Sequence, residues 1–285
     1  MTHQERAAWL LDEIHRVGGI VSVLYKDLDT GVIPFQFAPD YVMPAADMAK
    51  IAILLTVLTR VEEGAMDLDQ CVLVPDLWIT PDSVAFERGT MSYSVGEMLT
   101  WMIVANEDTP ANVLIELLGL ETVNRCCQAF GLRQTRVESR FGATKIPGAQ
   151  GGNVTSAQDM LLFFEKIYRN QGLSRPLCEF AGRLFLRYRR HEGFTRYISD
   201  DIYTGRFSGE APSVSHEAGI FYLRYVDYFL VVMATDPDGT PRSKLEIQRL
   251  RARIADRLYN DYLEREDALL QRPYPPQAPY GENRY

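Results

Sequence analysis

The sequence has little that would mark a secreted, membrane-spanning or nucleic-acid-binding chain. Its 285 residues hold four cysteines, Cys71, Cys126, Cys127 and Cys178, and their spacing offers no disulfide framework. Cys126 and Cys127 are adjacent on a helical run and read as buried thiols. No apolar stretch is long enough to cross a bilayer, so no membrane partner is expected. Residues 1–20, with Glu5, Asp12 and Glu13, read as an amphipathic helix and not an export signal, which makes the cytoplasm the simplest expected location. Positive charge is also short. The net charge is −8, which argues against a protein that tracks nucleic-acid phosphates. Arg187-Tyr188-Arg189-Arg190-His191 is the one dense basic run, and it reads as a solvated helix face. Internal repeats are absent.

What the chain does have is apolar residues, 46% of the total, enough for a full core. Residues 4–17 read as a helix, and Ile20 to Tyr25 and Val32 to Phe37 as strands around the turn Asp29-Thr30-Gly31. Ala46 to Glu63 has helical spacing, closed by Gly64. Leu99 to Ala105 and Pro110 to Leu118 read as buried helices flanking Asn106-Glu107-Asp108-Thr109, and Glu121 to Phe130 as another. After a glycine-containing loop over 139–153, Thr155 or Ser156 caps a helix with Met160, Leu161, Phe163, Phe164, Ile167 and Tyr168 on one face. Leu177 to Tyr188 continues helical. Ser213 to Ala218, Ile220 to Val226 and Tyr228 to Thr235 read as strands around Gly219 and Asp227, and Leu245 to Tyr262 as a closing helix. The tail from Pro273 to Tyr285 holds four prolines and reads as extended and poorly ordered.

Within that first long helix, Asp47-Met48-Ala49-Lys50 resembles the Ser-x-x-Lys active-site helix of class A β-lactamases and penicillin-binding proteins, with aspartate where the nucleophilic serine belongs. Further segments are similar to the same superfamily over roughly residues 15–263. Met102-Ile103-Val104 with Thr109-Pro110-Ala111-Asn112 resembles the surroundings of its Ser-Asp-Asn loop. Asn153-Val154-Thr155-Ser156 resembles the helix start after its omega loop, and Val214-Ser215-His216-Glu217-Ala218-Gly219 its Lys-Thr-Gly strand.

The resemblance implies an α/β (α+β) fold of the β-lactamase/transpeptidase-like type. In it a mixed antiparallel sheet is flanked by helices, with an all-helical subdomain inserted. The expected bounds are one domain over 1–265, with the sheet from about 1–40 and 205–265 and the helical part from about 41–204. A Pro- and Tyr-rich tail fills 266–285.

The motifs that would carry the chemistry depart from the family. By the resemblance, Ser-Asp-Asn becomes Asn106-Glu107-Asp108 and Lys-Thr-Gly becomes Glu217-Ala218-Gly219. The family's omega-loop glutamate activates the deacylating water, yet 139–153 contains no acid. An aspartate cannot form the acyl ester. Ser92 and Ser94, the other serines weighed as nucleophiles, lack a lysine three residues on.

Asp47 and Lys50, three apart, share a helix face. Asp47 there is a base, a nucleophile, a cation ligand, or a plain helix cap paired with lysine. Asn106 and Asp108 are expected to face the cleft with Glu107 turned inward, although the same residues are also a helix-start signal. Glu217 would repel the carboxylate that the family's lysine attracts, or neutralise Lys50. Period-two alternation puts His216 on the opposite face from Glu217 as a packed histidine.

The expected site is therefore Asp47, Lys50, Asp108 and Glu217 as catalytic groups, with Asn106, Ala218 and Gly219 binding substrate. No cofactor is expected, and Lys50 disfavours a divalent metal. An excess of acids suits a small-molecule, sugar, polyol or cationic substrate. Two functions follow: a hydrolase using a carboxylate pair, or a binding protein that kept the fold and lost its chemistry.

Overall fold

The computed structural model describes residues 2–87, 91–142, 152–188, 190, 193–199, 202–236 and 241–269, with the side chains of 241–243 and 266–269 left aside. The chain opens with α1 (His3–His15), started by a capping box between Thr2 and Glu5. β1 (Ile20–Asp27) and β2 (Phe35–Phe37) pair antiparallel around the Asp29–Gly31 turn. The short β3 (Met43–Pro44) leads through a single 3₁₀ turn, Ala46–Ala49, into α2 (Lys50–Glu62). Every residue of α2 from Lys50 to Leu58 is buried, as befits a helix that is apolar nearly all round and runs through the core.

β4 (Cys71–Val74) and β5 (Met91–Ser94) form a small hairpin, and Ser94 begins α3 (Val95–Val104) through a second capping box with Glu97. α4 (Asp108–Leu118) and α5 (Leu120–Phe130) follow. β6 (Val154–Thr155) pairs with β3, and Ser156 caps α6 (Ala157–Tyr168). Next come α7 (Arg175–Leu186) and three long strands, β7 (Thr204–Ala211), β8 (Val214–Tyr222) and β9 (Asp227–Thr235). α8 (Pro241–Leu269) closes the chain.

Five strands form one sheet in the order β2-β1-β9-β8-β7, with every neighbouring pair antiparallel. The first and last parts of the chain meet where β1 lies against β9. Alternation divides the side chains between two cores. Ala218, Ile220, Phe229, Val231 and Met233 face the helices that follow α1 in the middle of the chain. Phe221, Tyr228, Leu230 and Val232 face α1 and α8.

Four expectations change. β8 runs unbroken through Gly219, and the sheet has an edge strand, β7, that the sequence reading missed. Gly219 is paired on both sides, with Arg206 and Leu230, and its lack of a side chain matters because a Cβ there would lie 2.5 Å from the Arg206 Cβ. The basic run after α7 is no helix face, since α7 ends at Leu186 and Tyr188 is buried against Phe207. Arg189 and His191 lie outside the described residues. α8 continues past residue 265 to Leu269, and the rest of the proline-rich tail, like most of the 139–153 loop, lies outside them too. Among the described residues, no helix is long and apolar enough to cross a membrane.

Candidate active site

Asp47 sits on the 3₁₀ turn between β3 and α2. That turn is held by Ala45 N–H donating to Asn153 O at 2.7 Å and contains Ala46 at φ +46°. One turn on, Lys50 opens α2 with its side chain fully buried, and its Nζ lies 3.1 Å from Asp47 Oδ1. The α3–α4 loop comes in from the other side. Asn106 adopts φ +62°, a left-handed conformation that asparagine tolerates better than most residues. This turns both its main-chain oxygen and its side-chain Oδ1 onto Lys50 Nζ, at 2.7 and 2.8 Å. Its Nδ2 donates to Asp47 Oδ2 at 3.0 Å. Asp108, the first residue of α4, completes the cluster with Oδ1 2.7 Å from Lys50 Nζ. The Phe141 ring lies 5.2 Å from the same ammonium, within cation–π range.

The ammonium thus meets four oxygens with three N–H groups. It is saturated inside the protein. Asp47 Oδ2 is occupied as well, because the Glu210 N–H of β7 donates to it at 3.3 Å. Gly209, the preceding residue, lets the strand come this close: a Cβ there would stand 2.9 Å from the Met48 N and 3.0 Å from Ala45 O. Burial raises the Asp108 carboxyl above its ordinary range, against the pull of Lys50, and the negative charges of Asp47 and Glu107 push the same way. About a third of the Asp108 side chain is exposed (32%), against 17% for Asp47, so Asp108 is the acid a ligand reaches most easily.

Glu107 turns inward, as expected. Its carboxylate accepts from Ser83 Oγ at 2.8 Å and from the Val84 and Ala85 N–H groups at 3.0 and 3.2 Å, pinning the 83–85 segment to the start of α4. Thr109 Oγ1 accepts from Thr80 N–H at 3.0 Å.

The other half of the expected site lies elsewhere. Glu217 is buried on the α1/α8 side of the sheet, paired with Arg206 at 2.8 Å and accepting from the Phe194 N–H at 2.8 Å. Ala218 is packed in the core on the opposite face, and Gly219 lies against Arg206. None of the three belongs to the cluster around Lys50. The alternation along β8 holds, but it turns Glu217 away from the expected cleft face and toward Phe194 and Arg206. His216, not Glu217, points toward the turn that carries Asp47: its Nε2 lies 2.8 Å from Pro44 O, and its Nδ1 accepts from the Ala234 N–H at 3.1 Å. The proton is therefore on Nε2, and burial holds the imidazole neutral, its pKa lowered to about 4. The strand beside the cluster is β7, whose Gly205 and Gly209 and polar side chains give it almost no strand signal. Its contribution is a backbone N–H, which no side-chain motif announces.

The cluster brings together Asp47, Lys50, Asn106 and Asp108 with the Glu210 N–H. Two acids and one cation leave it one negative charge in excess. Among the described residues, no group of acids, histidines and cysteines is arranged to hold a metal ion.

The family model of the β-lactamase enzyme family matches residues 5–262. No curated protein sequence matches the chain. Among solved structures, a β-lactamase from Chitinophaga pinensis superposes with a TM-score of 0.81 at 17% identity, covering 91% of this chain and 99% of that one. PBP-A superposes with a TM-score of 0.78 at 20% identity, covering 90% and 96%. An ancestral class A β-lactamase gives 0.78 at 17% identity, covering 90% and 99%. At such identities these likenesses speak for the fold, an antiparallel sheet flanked by helices, and the family match carries the rest: this chain belongs to the β-lactamase enzyme family.

Proposed function

We propose that this chain is a non-acylating member of the family, a binding protein whose cleft takes a small cationic or hydroxyl-rich ligand at Asp108 and Asp47. One observation carries the reading. The residue at the nucleophile position is a carboxylate that already accepts hydrogen bonds from Glu210 N–H and Asn106 Nδ2, while Lys50 has no N–H left to offer. Acyl transfer needs an unoccupied nucleophile and free donors aimed at the developing oxyanion. Here those positions are filled by the protein itself. The excess negative charge favours a cation or a hydroxyl donor over a ligand carboxylate. A cytoplasmic setting, where thiols stay reduced, is part of the same proposal and rests on the four free cysteines.

A second reading, acid–base hydrolysis at the carboxylates, is favoured by Asp108 alone, since a partly exposed carboxyl raised by burial suits a general acid. Geometry weighs against a glycosidase-type pair. The scissile bond of a retaining enzyme lies between carboxyl groups about 5–5.5 Å apart, and here the Lys50 ammonium takes that place.

The test has two arms. Intact-mass measurement after incubation with benzylpenicillin and a cephalosporin should show an unchanged protein, and Asp47→Ser alone should show the same. Calorimetric titration with amines, polyols and oligosaccharides should give saturable binding for at least one class, weakened by Asp108→Asn. A stable mass increase mapped to the cleft would overturn the proposal. Turnover of any screened compound, lowered about 10²-fold or more by Asp108→Asn, would establish the hydrolase instead.

A further inference from the structure

A cavity of about 400 Å³ opens among α2, α5 and α6, lined in part by Thr59, Arg60, Arg125, Cys126, Phe130 and Lys166. None of its lining residues belongs to the cluster around Lys50. Its size falls in the range of small-molecule sites, about 300–1,000 Å³. Its charge is opposite to that of the molecule. Arg60, Arg125 and Lys166 face one acid, Glu63, in a chain of net charge −8.

The cations are only partly neutralised. Arg60 pairs with Glu63 at 2.8 Å. Lys166 donates to Phe130 O at 2.6 Å and lies 4.4 Å from the Phe130 ring centre, leaving two of its three N–H groups for a ligand. Among the described residues Arg125 meets only Glu121, at 3.7 Å and with both side chains largely exposed, too far for a hydrogen bond. Beside these donors lie the Phe130 ring, Ala129 and Gly172, together with the Thr59 and Thr122 hydroxyls. The lining therefore joins an electropositive end to a small apolar wall.

We propose that this cavity is a second ligand site, specific for small organic anions that carry a flat apolar group, with the anionic end on Arg125 and Lys166 and the apolar end against Phe130 and Ala129. The inference does not depend on the reading of the Asp47 cleft, and the two sites take ligands of opposite charge.

Cys126 supplies a reporter, because it lines the cavity, is partly exposed and has its Sγ 3.3 Å from Thr59 Oγ1. In a Cys71→Ser background, which removes the exposed thiol, phenyl phosphate should slow alkylation of Cys126 by iodoacetamide in a saturable way. Calorimetry on the full chain should give one site for phenyl phosphate, and benzylamine should neither compete with it nor protect Cys126. Binding should weaken as salt is raised. Arg125→Glu, at an exposed position, should weaken it at least tenfold without altering the unfolding transition. Thr122→Trp, which fills the cavity and leaves the charges in place, should abolish it. Asp108→Asn should leave it unchanged. The proposal fails if phenyl phosphate neither binds nor protects Cys126 at 10 mM ligand, a concentration well above the about 1 mM of weak binding. It fails equally if Arg125→Glu binds as well as the parent, or if inorganic phosphate binds as tightly as phenyl phosphate.

Discussion

Lys50 and its two carboxylates decide the character of the cleft. A fully buried ammonium is tolerated because four oxygens surround it, and removing it would leave Asp47 and Asp108 facing each other without a counter-ion. Lys50→Met should therefore cost about 3–5 kcal/mol of unfolding free energy, measured by denaturant titration, and adding Asp47→Asn should recover part of the loss. A fully additive double mutant would contradict the coupling. Glu217 belongs to the same class of interaction in a different place. As half of a buried pair with Arg206, Glu217→Gln should lower stability rather than ligand affinity, whereas Asp108→Asn should do the reverse.

His216 adds a pH dependence whose sign follows from its burial. It is neutral in the folded protein down to about pH 4, while the unfolded chain takes up a proton below about 6.5. The unfolded state thus binds more protons across that window, so this histidine's contribution to stability falls as pH drops from about 6.5 toward 4. The slope approaches 1.4 kcal/mol per pH unit, about 3 kcal/mol in all. His216→Asn keeps an acceptor for the Ala234 N–H and should flatten the profile there, as measured by unfolding at several pH values. Asp108, raised by burial, has its own signature in binding. Affinity for a cationic ligand should rise with pH through a midpoint above the ordinary carboxylate range, and Asp108→Asn should abolish the rise.

At the scale of elements, the approach of β7 to the turn before α2 sets the site. Gly209 makes that approach possible, and an alanine there would press on the Met48 N and Ala45 O. Gly209→Ala should cost about 1–3 kcal/mol by overpacking and lengthen the Glu210–Asp47 contact, visible as an altered Glu210 amide resonance. Gly219→Ala strains the β7–β8 pair instead, through Arg206. It should lower stability by a similar amount with less effect on that resonance. Equal amide perturbation by both would mean that the whole sheet shifts together. The Asn106 turn behaves differently again. Replacing Asn106 with alanine would lose the bridge between Lys50 and Asp47 as well as the tolerance for φ +62°.

For the whole molecule, the ends of the chain are tied together. β1 lies beside β9, and α1 is joined to α8 by Arg6–Asp261 at 2.7 Å and Arg253–Glu13 at 2.6 Å. The intervening helices pack on a sheet built from both ends of the chain. A fragment covering 41–204 carries the helices without most of the sheet that covers their apolar faces, and it should show no cooperative transition by calorimetry. The intact chain should unfold as one unit. A separately folding 41–204 fragment would count against that expectation.

Much of this architecture was legible in the sequence, because helices and hairpins announce themselves locally. The apolar runs of α2 and α6, the cap at Ser156 and the Asp29–Gly31 turn are all short-range signals. So is the pairing of Asp47 with Lys50, since three residues on a helix fix the distance, and the motifs around it name the family. The rest depends on contacts between distant parts of the chain. Glu217 looks like a cleft residue in sequence because its neighbours resemble a known strand, but which strand lies at the sheet edge is decided by pairing, and β7 takes that place. Its donor to Asp47 is a main-chain N–H, a group every residue but proline possesses, so only the fold selects it. The saturation of Lys50 is likewise a tertiary fact. It needs Asn106 and Asp108 brought in from more than fifty residues away, in a backbone conformation that an asparagine permits and that its surroundings impose.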